Sequence, residues 1–468
     1  MTLKDQIKDY FNQNWFTMMR DIARMVSINS ERMPAQEGKP FGEGPYQALM
    51  EFKELAKERG FDTKIYGNAV GAVNLNDGPK QLDILAHLDV VPAGEDWTVT
   101  SPFDATIKDG RIYGRGTADD KGPAVTALWA MKCVKDLGIP LTKNVTLLVG
   151  TDEECGSGDL PYYYKVEKEA PMSFSPDAEY PLINIEKGGM HPTFSASWQE
   201  DKRLPRITSI TGSLKVNVMP GKARAEVEGL DLDTMKKVAD QVTPKTKCTY
   251  ELTQDGSTVK IVSIGVAAHA STPQNGVNAL TGLIDYLLAL PLAESEAVEK
   301  LRSVQKLLPH GDYLGKALGV AMEDEISHEL TLCFSMMNFT TTGFTGQFDC
   351  RAPLCATTEN LRDTAERNMA KEGITMEHVE LNDPHYVSGD SELVHELLHV
   401  YEDYTGKKGE CLAIGGGTYV HGLKNGVAFG CSMPGTENHM HEPNESAVIE
   451  ELIISAEMFA QVIADLCK

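Results

Sequence analysis

Apolar residues recur every three to four positions through residues 3 to 26, LKDQIKDYFNQNWFTMMRDIARMV, and predict an amphipathic helix. A second helical pattern covers residues 42 to 59, and ALMEFKELAKERG stops on a glycine. Short strands are predicted around Thr63–Tyr66 and Val70–Asn74, followed by the uninterrupted apolar run Leu82–Ala86, which ends in His87. The turn-rich GRIYGRGTADDKGP then runs into a helix from about Lys121, and NVTLLVGTDEE is a buried strand emptying into acidic residues. Strand, helix, strand in that order predicts a parallel α/β unit, whose ligands bind beyond the carboxyl ends of the strands. His87, the Asp119–Asp120 pair and the Glu153–Glu154 pair all fall at such ends or in adjacent loops.

The texture changes after about residue 187. ARAEVEGLDLDTMKKVADQV and GQFDCRAPLCATTENLRDTAERNM share a strand-then-helix plan, a weak internal repeat of pattern that suits an α+β insert built from two related halves. From about Asp383 the chain returns to motif-rich loops. The expected organisation is an α/β domain with a central mixed sheet flanked by helices, supplied by residues 1–187 and 383–468, with the inserted α+β domain at 188–382.

A net charge of −24 argues against nucleic acid or an anionic membrane as partner, while leaving room for a small anionic ligand at a local site. The nine cysteines are scattered without a CxxC pair, as in a reducing compartment. The amino terminus lacks the apolar core of a signal peptide, and no apolar stretch is long enough to span a bilayer. The expectation is a cytoplasmic protein.

Five places carry chemistry: His87 with Asp89 in HLDVVPAG, Asp119, Glu153 with Glu154, Asp177 in FSPDAEYP, and His441 in HMHEPNE. Each alone reads as solvated charge, a turn residue or a hydrogen-bonded histidine. Together at the strand ends of one α/β unit, they have the donor types of a site for two divalent metals. A carboxylate can bridge two ions. Of two adjacent glutamates, one can bind metal while the other handles a proton. Asp89, two residues beyond His87, is expected to orient its imidazole.

HLDVVPAG, GRGTADDKGP, GTDEE, SPDAEYP, AAHASTPQNGVNA and MHEPNE follow, in order, the signature of a co-catalytic zinc metallopeptidase family. That family includes carboxypeptidase G, acetylornithine deacetylase, succinyl-diaminopimelate desuccinylase and carnosinase, and within it the chain most resembles the PepV-type dipeptidases. The resemblance covers nearly the whole sequence. It implies that His87 and Asp177 bind one metal, Glu154 and His441 the other, and that Asp119 bridges both. Glu153 becomes the general base that activates a bridging water and later protonates the leaving amine, and the Asp119–Asp120 peptide is cis. The insert becomes a lid in which His269 stabilises the oxyanion, Asn217 and Arg351 bind substrate, and the backbone of Gly415 and Gly416 lies near the substrate carboxylate. The implied ions are zinc, with manganese or cobalt as alternatives. The implied reaction is cleavage of dipeptides with a free amino terminus, β-alanyl dipeptides included, by a monomer. Asp at position 177 points the same way, because in the family Glu there accompanies carboxypeptidases and deacylases. A deacylase of N-acyl amino acids on the same dinuclear site is the nearest alternative, and a non-catalytic peptide-binding protein a more distant one.

One motif competes. HELLH, His395 to His399, matches the zincin pattern letter for letter. Leu393, Val394, Leu397, Leu398 and Tyr401 form the apolar stripe of that helix, so the histidines fall on its polar side and a solvated helix is expected. His439 beside His441, and Cys155 beside Glu154, are read as neighbours of the ligands.

Overall fold

The strands Lys80–His87 and Asn144–Gly150 lie parallel and adjacent, with Ile84 opposite Leu147 and His87 opposite Gly150. Their side chains alternate between two covered faces. Ala86 and Val149 pack with the helices Leu3–Val26, Glu43–Glu58, Lys121–Asp136, Glu392–Thr405 and Ile449–Leu466, while Leu85 and Leu148 face Val70, Tyr163 and Tyr419. Burial on both faces is why these strands read as continuous apolar runs. The computed structural model describes residues 1–468. These divide into one unit of Met1–Ile185, His385–Leu412 and Gly417–Lys468, and a second of Glu186–Pro384 and Ala413–Gly416. The segment Ala413–Gly416 therefore groups with the second unit, where its sequence position had placed it with the first. No helix is long and apolar enough to cross a membrane.

The sheet of the first unit runs Thr63–Tyr66, Val70–Asn74, Asn144–Gly150, Lys80–His87, Met172–Ser175, Gly426–Ala428, Leu182–Glu186, His385–Tyr386. Its four central strands are mutually parallel and its margins antiparallel, which makes the sheet mixed. Three parallel strands thus end side by side, with His87, Glu153 and Asp177 at or just beyond their carboxyl ends.

The second unit is antiparallel. Its sheet runs Thr249–Asp255, Thr258–Ile264, Lys222–Glu228, Arg206–Thr211, Thr331–Thr340, Gly343–Ala352, Thr193–Ser197, Thr375–Met376. The two segments noted as a repeat are the strand Lys222–Glu228 with the helix Leu232–Thr246, and the strand Gly343–Ala352 with the helix Asp363–Lys371. The halves meet where Ile210 faces Phe339 and Thr211 faces Asn338. Along Gly343–Ala352, Phe344, Phe348, Cys350 and Ala352 enter the core, so Gln347, Asp349 and Arg351 project from the opposite face.

One carboxylate shapes the loop that carries Asp119. Glu445 is fully buried, and its Oε1 accepts the backbone N–H groups of Gly116 (3.0 Å), Ala118 (2.9 Å) and Asp119 (3.1 Å). Its Oε2 accepts Arg115 Nη1 at 2.6 Å, and the Arg115 guanidinium is buried over the Trp97 ring. The turn requires glycine at 116, where φ is +91° and a Cβ would stand 2.8 Å from the Lys121 side chain. Replacing Glu445 with alanine strands a buried guanidinium and three amide donors. The expected cost is about 3–5 kcal/mol, read by urea unfolding. Alanine at the exposed Glu442 in the same loop should cost under about 0.5 kcal/mol.

Candidate active site

Each candidate ligand of the first unit sits where the chain leaves regular structure. His87 is the last residue of its strand. Asp119 ends the Glu445-held turn, joined to Asp120 by a cis peptide just before the helix Lys121–Asp136. Glu153 and Glu154 open a single 3-10 turn, and Asp177 follows the strand Met172–Ser175. His441 adopts φ +62°, in the left-handed region that few residues other than glycine enter. The loop is tied down on both sides of His441 by Asn444, whose Oδ1 accepts the N–H groups of Thr98 (2.8 Å) and Val99 (2.9 Å), and by Arg111, which donates to the Glu437 carbonyl.

These residues converge into two clusters that share one carboxylate. His87 Nε2 lies 2.9 Å from Asp119 Oδ1 and 3.5 Å from Asp177 Oδ2. His441 Nε2 lies 2.8 Å from Asp119 Oδ2 and 3.3 Å from Glu154 Oε1. In each cluster one ligand atom from every residue falls within 4.8 Å of the others, and Asp119 offers a different oxygen to each side. The His87 side chain is 1% exposed and that of His441 48%, so the pair of clusters opens on the His441 side.

Asp89 lies against the His87 ring through both its main chain and its carboxylate. His87 Nδ1 donates to the Asp89 backbone carbonyl at 3.0 Å, which leaves Nε2 as the lone-pair nitrogen facing Asp119. The Asp89 carboxylate is 3.5 Å from that ring and also accepts the backbone N–H groups of Glu153 and Glu154, each at 3.1 Å. It holds the acidic pair, while its main chain orients the histidine. Asp120, which carried no assigned part, accepts the His87 N–H at 3.0 Å. Tyr419 packs edge-on to the His87 ring at 6.1 Å and donates to Asp159. A Cβ at residue 150 would meet the Tyr419 oxygen at 2.0 Å, so only glycine fits there.

The electrostatics follow from burial and crowding. Burial alone would depress the His87 imidazole, but Asp119, Asp177 and Asp89 outweigh it and hold it well above the ordinary value. Burial likewise opposes His441, which Asp119 and Glu154 push up to about 11. Burial raises Glu154 to about 7, with Asp119 adding to the effect. Glu153 is driven well above the usual carboxylate range by burial and by Asp177, Glu154 and Asp119, against the pull of His87. Asp119 is held low because the two imidazoles overcome its burial. His87 Nε2, Asp119 Oδ1 and Glu154 Oε1 are buried without a well-formed hydrogen bond. Oxygen and nitrogen lone pairs converging under this excess of negative charge fit divalent cations, which would compensate the desolvated carboxylates and leave the imidazoles neutral.

The second unit gathers the other candidates. Val218 pairs with His269, and the Asn217 carbonyl accepts the Ala270 N–H at 2.9 Å, so Asn217 and His269 share one short ribbon. His269 Nδ1 accepts the Ser271 N–H at 3.2 Å and faces the Ser271 hydroxyl at 2.7 Å, which places the ring proton on Nε2. Arg351 donates through Nε (2.6 Å) and Nη2 (2.7 Å) to the buried Asp349, and through Nη1 to the Gly415 carbonyl at 2.7 Å. His191 completes this group at 3.1 Å from Asp349 Oδ2. Gly415 also lies against Ser271, where a Cβ would approach to 2.7 Å, and Gly416 follows it in the chain. Glu445, Ser271, Asp349 and His191 were not singled out from sequence. For Asp349, the i, i+2 spacing to Arg351 on an alternating strand was the available signal.

The HELLH helix, Glu392–Thr405, buries Leu393, Val394, Leu397, Val400 and Tyr401, with Leu398 partly covered. His395 and His399 are exposed, and both metal-compatible clusters lie elsewhere. All nine cysteines are free thiols, and Cys155 is exposed.

The chain aligns with relatives over nearly its whole length. A putative dipeptidase of Bacillus subtilis, YtjP, is 35% identical over 457 residues, covering 96% of this chain and 97% of its own. The Beta-Ala-Xaa dipeptidase of Lactobacillus delbrueckii subsp. lactis is 35% identical over 463 residues, covering 96% of each chain. Human carnosine dipeptidase 1 superposes with a TM-score of 0.60 at 14% identity, covering 100% of this chain and 99% of its own. The profile of Peptidase family M20/M25/M40 matches residues 84–465, and the chain belongs to that family.

Proposed function

We propose that this peptidase hydrolyses the single peptide bond of dipeptides with a free amino terminus, β-alanyl dipeptides among them. The observation that carries the reading is the pair of three-residue clusters joined through the two oxygens of Asp119, with Glu153 fixed beside them by Asp89. The 35% identity to a Beta-Ala-Xaa dipeptidase supports the substrate class.

In this reading His87, Asp119 and Asp177 hold one divalent ion, and Asp119, Glu154 and His441 hold a second, zinc in the first instance. When bound, two such ions supply Lewis acidity at the scissile carbonyl and favour ionisation of water. Glu153 takes a proton from the attacking water as its oxygen adds to the carbonyl carbon. As the carbon–nitrogen bond breaks, Glu153 returns that proton to the leaving amine, so that two amino acids are released. His269, protonated on Nε2, donates to the carbonyl oxygen where charge develops, with Asn217 beside it. Arg351 receives the α-carboxylate of the substrate. Asp349 and Gly415 occupy three of its five N–H groups and leave one on each terminal nitrogen for that anion.

Chelation should abolish turnover, and zinc or manganese should restore it. With metal restored, an unmodified dipeptide should be cleaved in preference to its N-acetylated form and to a tripeptide. Faster cleavage of the acetylated compound would make the enzyme a deacylase, and bound metal without turnover would make it a binding protein. Glu153→Gln should keep its metal content by elemental analysis while kcat falls about 10²–10⁴-fold. Replacing both His395 and His399 with alanine should leave kcat/KM within about twofold of the parent, since exposed helix positions away from a site are nearly neutral. Loss of activity with a normal fold would revive a zincin mechanism.

A further inference from the structure

The second unit contains a cavity of about 530 Å³ whose wall includes Gln274, His310, Tyr313, Leu314, Glu329 and Thr331. We propose that it receives the side chain of the substrate's carboxy-terminal residue and selects for large uncharged side chains, aromatic ones above all. The proposal rests on the reading of Arg351 as the α-carboxylate site and adds the determinant of selectivity beside it.

Position comes first. Thr331 and Arg351 are direct partners on adjacent antiparallel strands. Directly opposed residues project from the same face with Cβ atoms about 5 Å apart. One wall of the cavity therefore stands beside the base of the Arg351 side chain. The side chain of an amino acid starts only two bonds from its carboxylate carbon. A residue anchored on Arg351 must place that side chain within a few bond lengths, and the cavity is what the same sheet face offers there. The Thr331 hydroxyl donates to the Ser271 carbonyl at 3.3 Å, and the Ser271 hydroxyl meets His269 Nδ1. Gln274 follows in the next turn, Pro273–Asn275. The segment from His269 to Gln274 thus runs between the imidazole and the cavity.

Construction comes second. The Tyr313 carbonyl accepts the Leu332 N–H at 2.8 Å, which ties the loop to the residue after Thr331. Asp312 caps the same loop by accepting the N–H groups of Leu314, Lys316 and Ala317. Tyr313 packs on the small cluster of Met219, Ala270 and Cys333 beneath the His269 ribbon. His310 is held by the Thr281 hydroxyl and the Thr246 carbonyl, so its ring forms a fixed part of the wall. An aromatic ring and Leu314 supply apolar contact. Of the charged residues in the wall, Asp312 is turned to the N–H groups of its own loop, and the exposed Glu329 and Lys316 are of opposite sign. The volume falls within the range of small-molecule pockets and exceeds what alanine or glycine would fill.

The test uses the metal-loaded full chain and two dipeptide series. One holds alanine at the amino-terminal position and varies the carboxy-terminal residue through Gly, Ala, Leu, Phe and Trp. The other reverses the positions. The parent enzyme should show kcat/KM rising with size in the first series. In Tyr313→Ala and Leu314→Ala, the preference for Phe over Gly at the carboxy-terminal position should fall roughly tenfold through KM. The ratios of the second series should keep their parental values. Leu314→Trp, which fills the cavity, should reverse the preference toward Gly and Ala. Unchanged ratios in the first series, or equal changes in both, would overturn the proposal. Carboxy-terminal amides of the same dipeptides separate the two layers. If amidation leaves KM unaltered, the Arg351 reading fails and takes this proposal with it. If amidation raises KM but the variants keep the parental ratios, only the cavity assignment fails.

Discussion

The first unit is organised around an electrostatic problem, the crowding of carboxylates where parallel strands end. Asp89, Asp119, Asp120, Glu153, Glu154 and Asp177 gather there largely out of solvent, and the ion-pair partners of this group are the imidazoles of His87 and His441. Such a concentration of like charge cannot hold itself together. It persists because the backbone supplies donors. Asp89 accepts two amides from the turn that carries the glutamates, and Asp120 accepts the amide of His87. Glu445 accepts three from the turn that carries Asp119. Buried carboxylates satisfied by main-chain N–H groups are positioned without the flexibility of long cationic side chains, which suits a site that must keep its lone pairs pointing inward.

Much of this was legible in the sequence, for identifiable reasons. The helix Leu3–Val26 and the strand Thr63–Tyr66 match their expected bounds because apolar periodicity and turn residues mark both ends. The convergence of His87, Asp119, Glu154, Asp177 and His441 was legible because parallel strands bring their ends together and because the motifs occur in a familiar order. What escaped was whatever depends on register or on long-range approach. The contacts that Asp89 adds, its carbonyl to His87 Nδ1 and its carboxylate to the amides of Glu153 and Glu154, are a matter of ångströms beyond a strand end. Glu445 lies inside a quoted motif, yet its partners are more than three hundred residues away. The move of Ala413–Gly416 into the second unit follows from the Arg351–Gly415 and Lys187–Ile414 hydrogen bonds, which sequence position does not announce.

The second unit solves a different problem, recognition, with a simpler device. Strict alternation along Gly343–Ala352 sends one row of side chains into the core and lines up Asp349 and Arg351 on the other face. The buried aspartate takes one edge of the guanidinium, so the arginine is held as a planar fork in place of a swinging chain. Ser271 then connects Thr331, His269 and Gly415 into the same patch. Polar groups from four separate stretches of chain meet on a rigid antiparallel surface, where precision depends on pairing register more than on loop conformation.

The reach of Glu445 back to the turn at Asp119 also sets the order of events at birth. Their hydrogen bond spans 326 residues. At about 5–20 residues per second, roughly 16 to 65 s of synthesis separate the two partners. Throughout that interval the nascent chain carries the acidic strand ends without the carboxylate that fixes their loop and without His441. The strands, the first helices and the whole inserted unit are available to fold beforehand. The centre of the molecule is therefore completed last, and a translation product cut short before residue 441 would lack His441, the carboxylate of Glu445 and the helix Ile449–Leu466 that covers the central sheet.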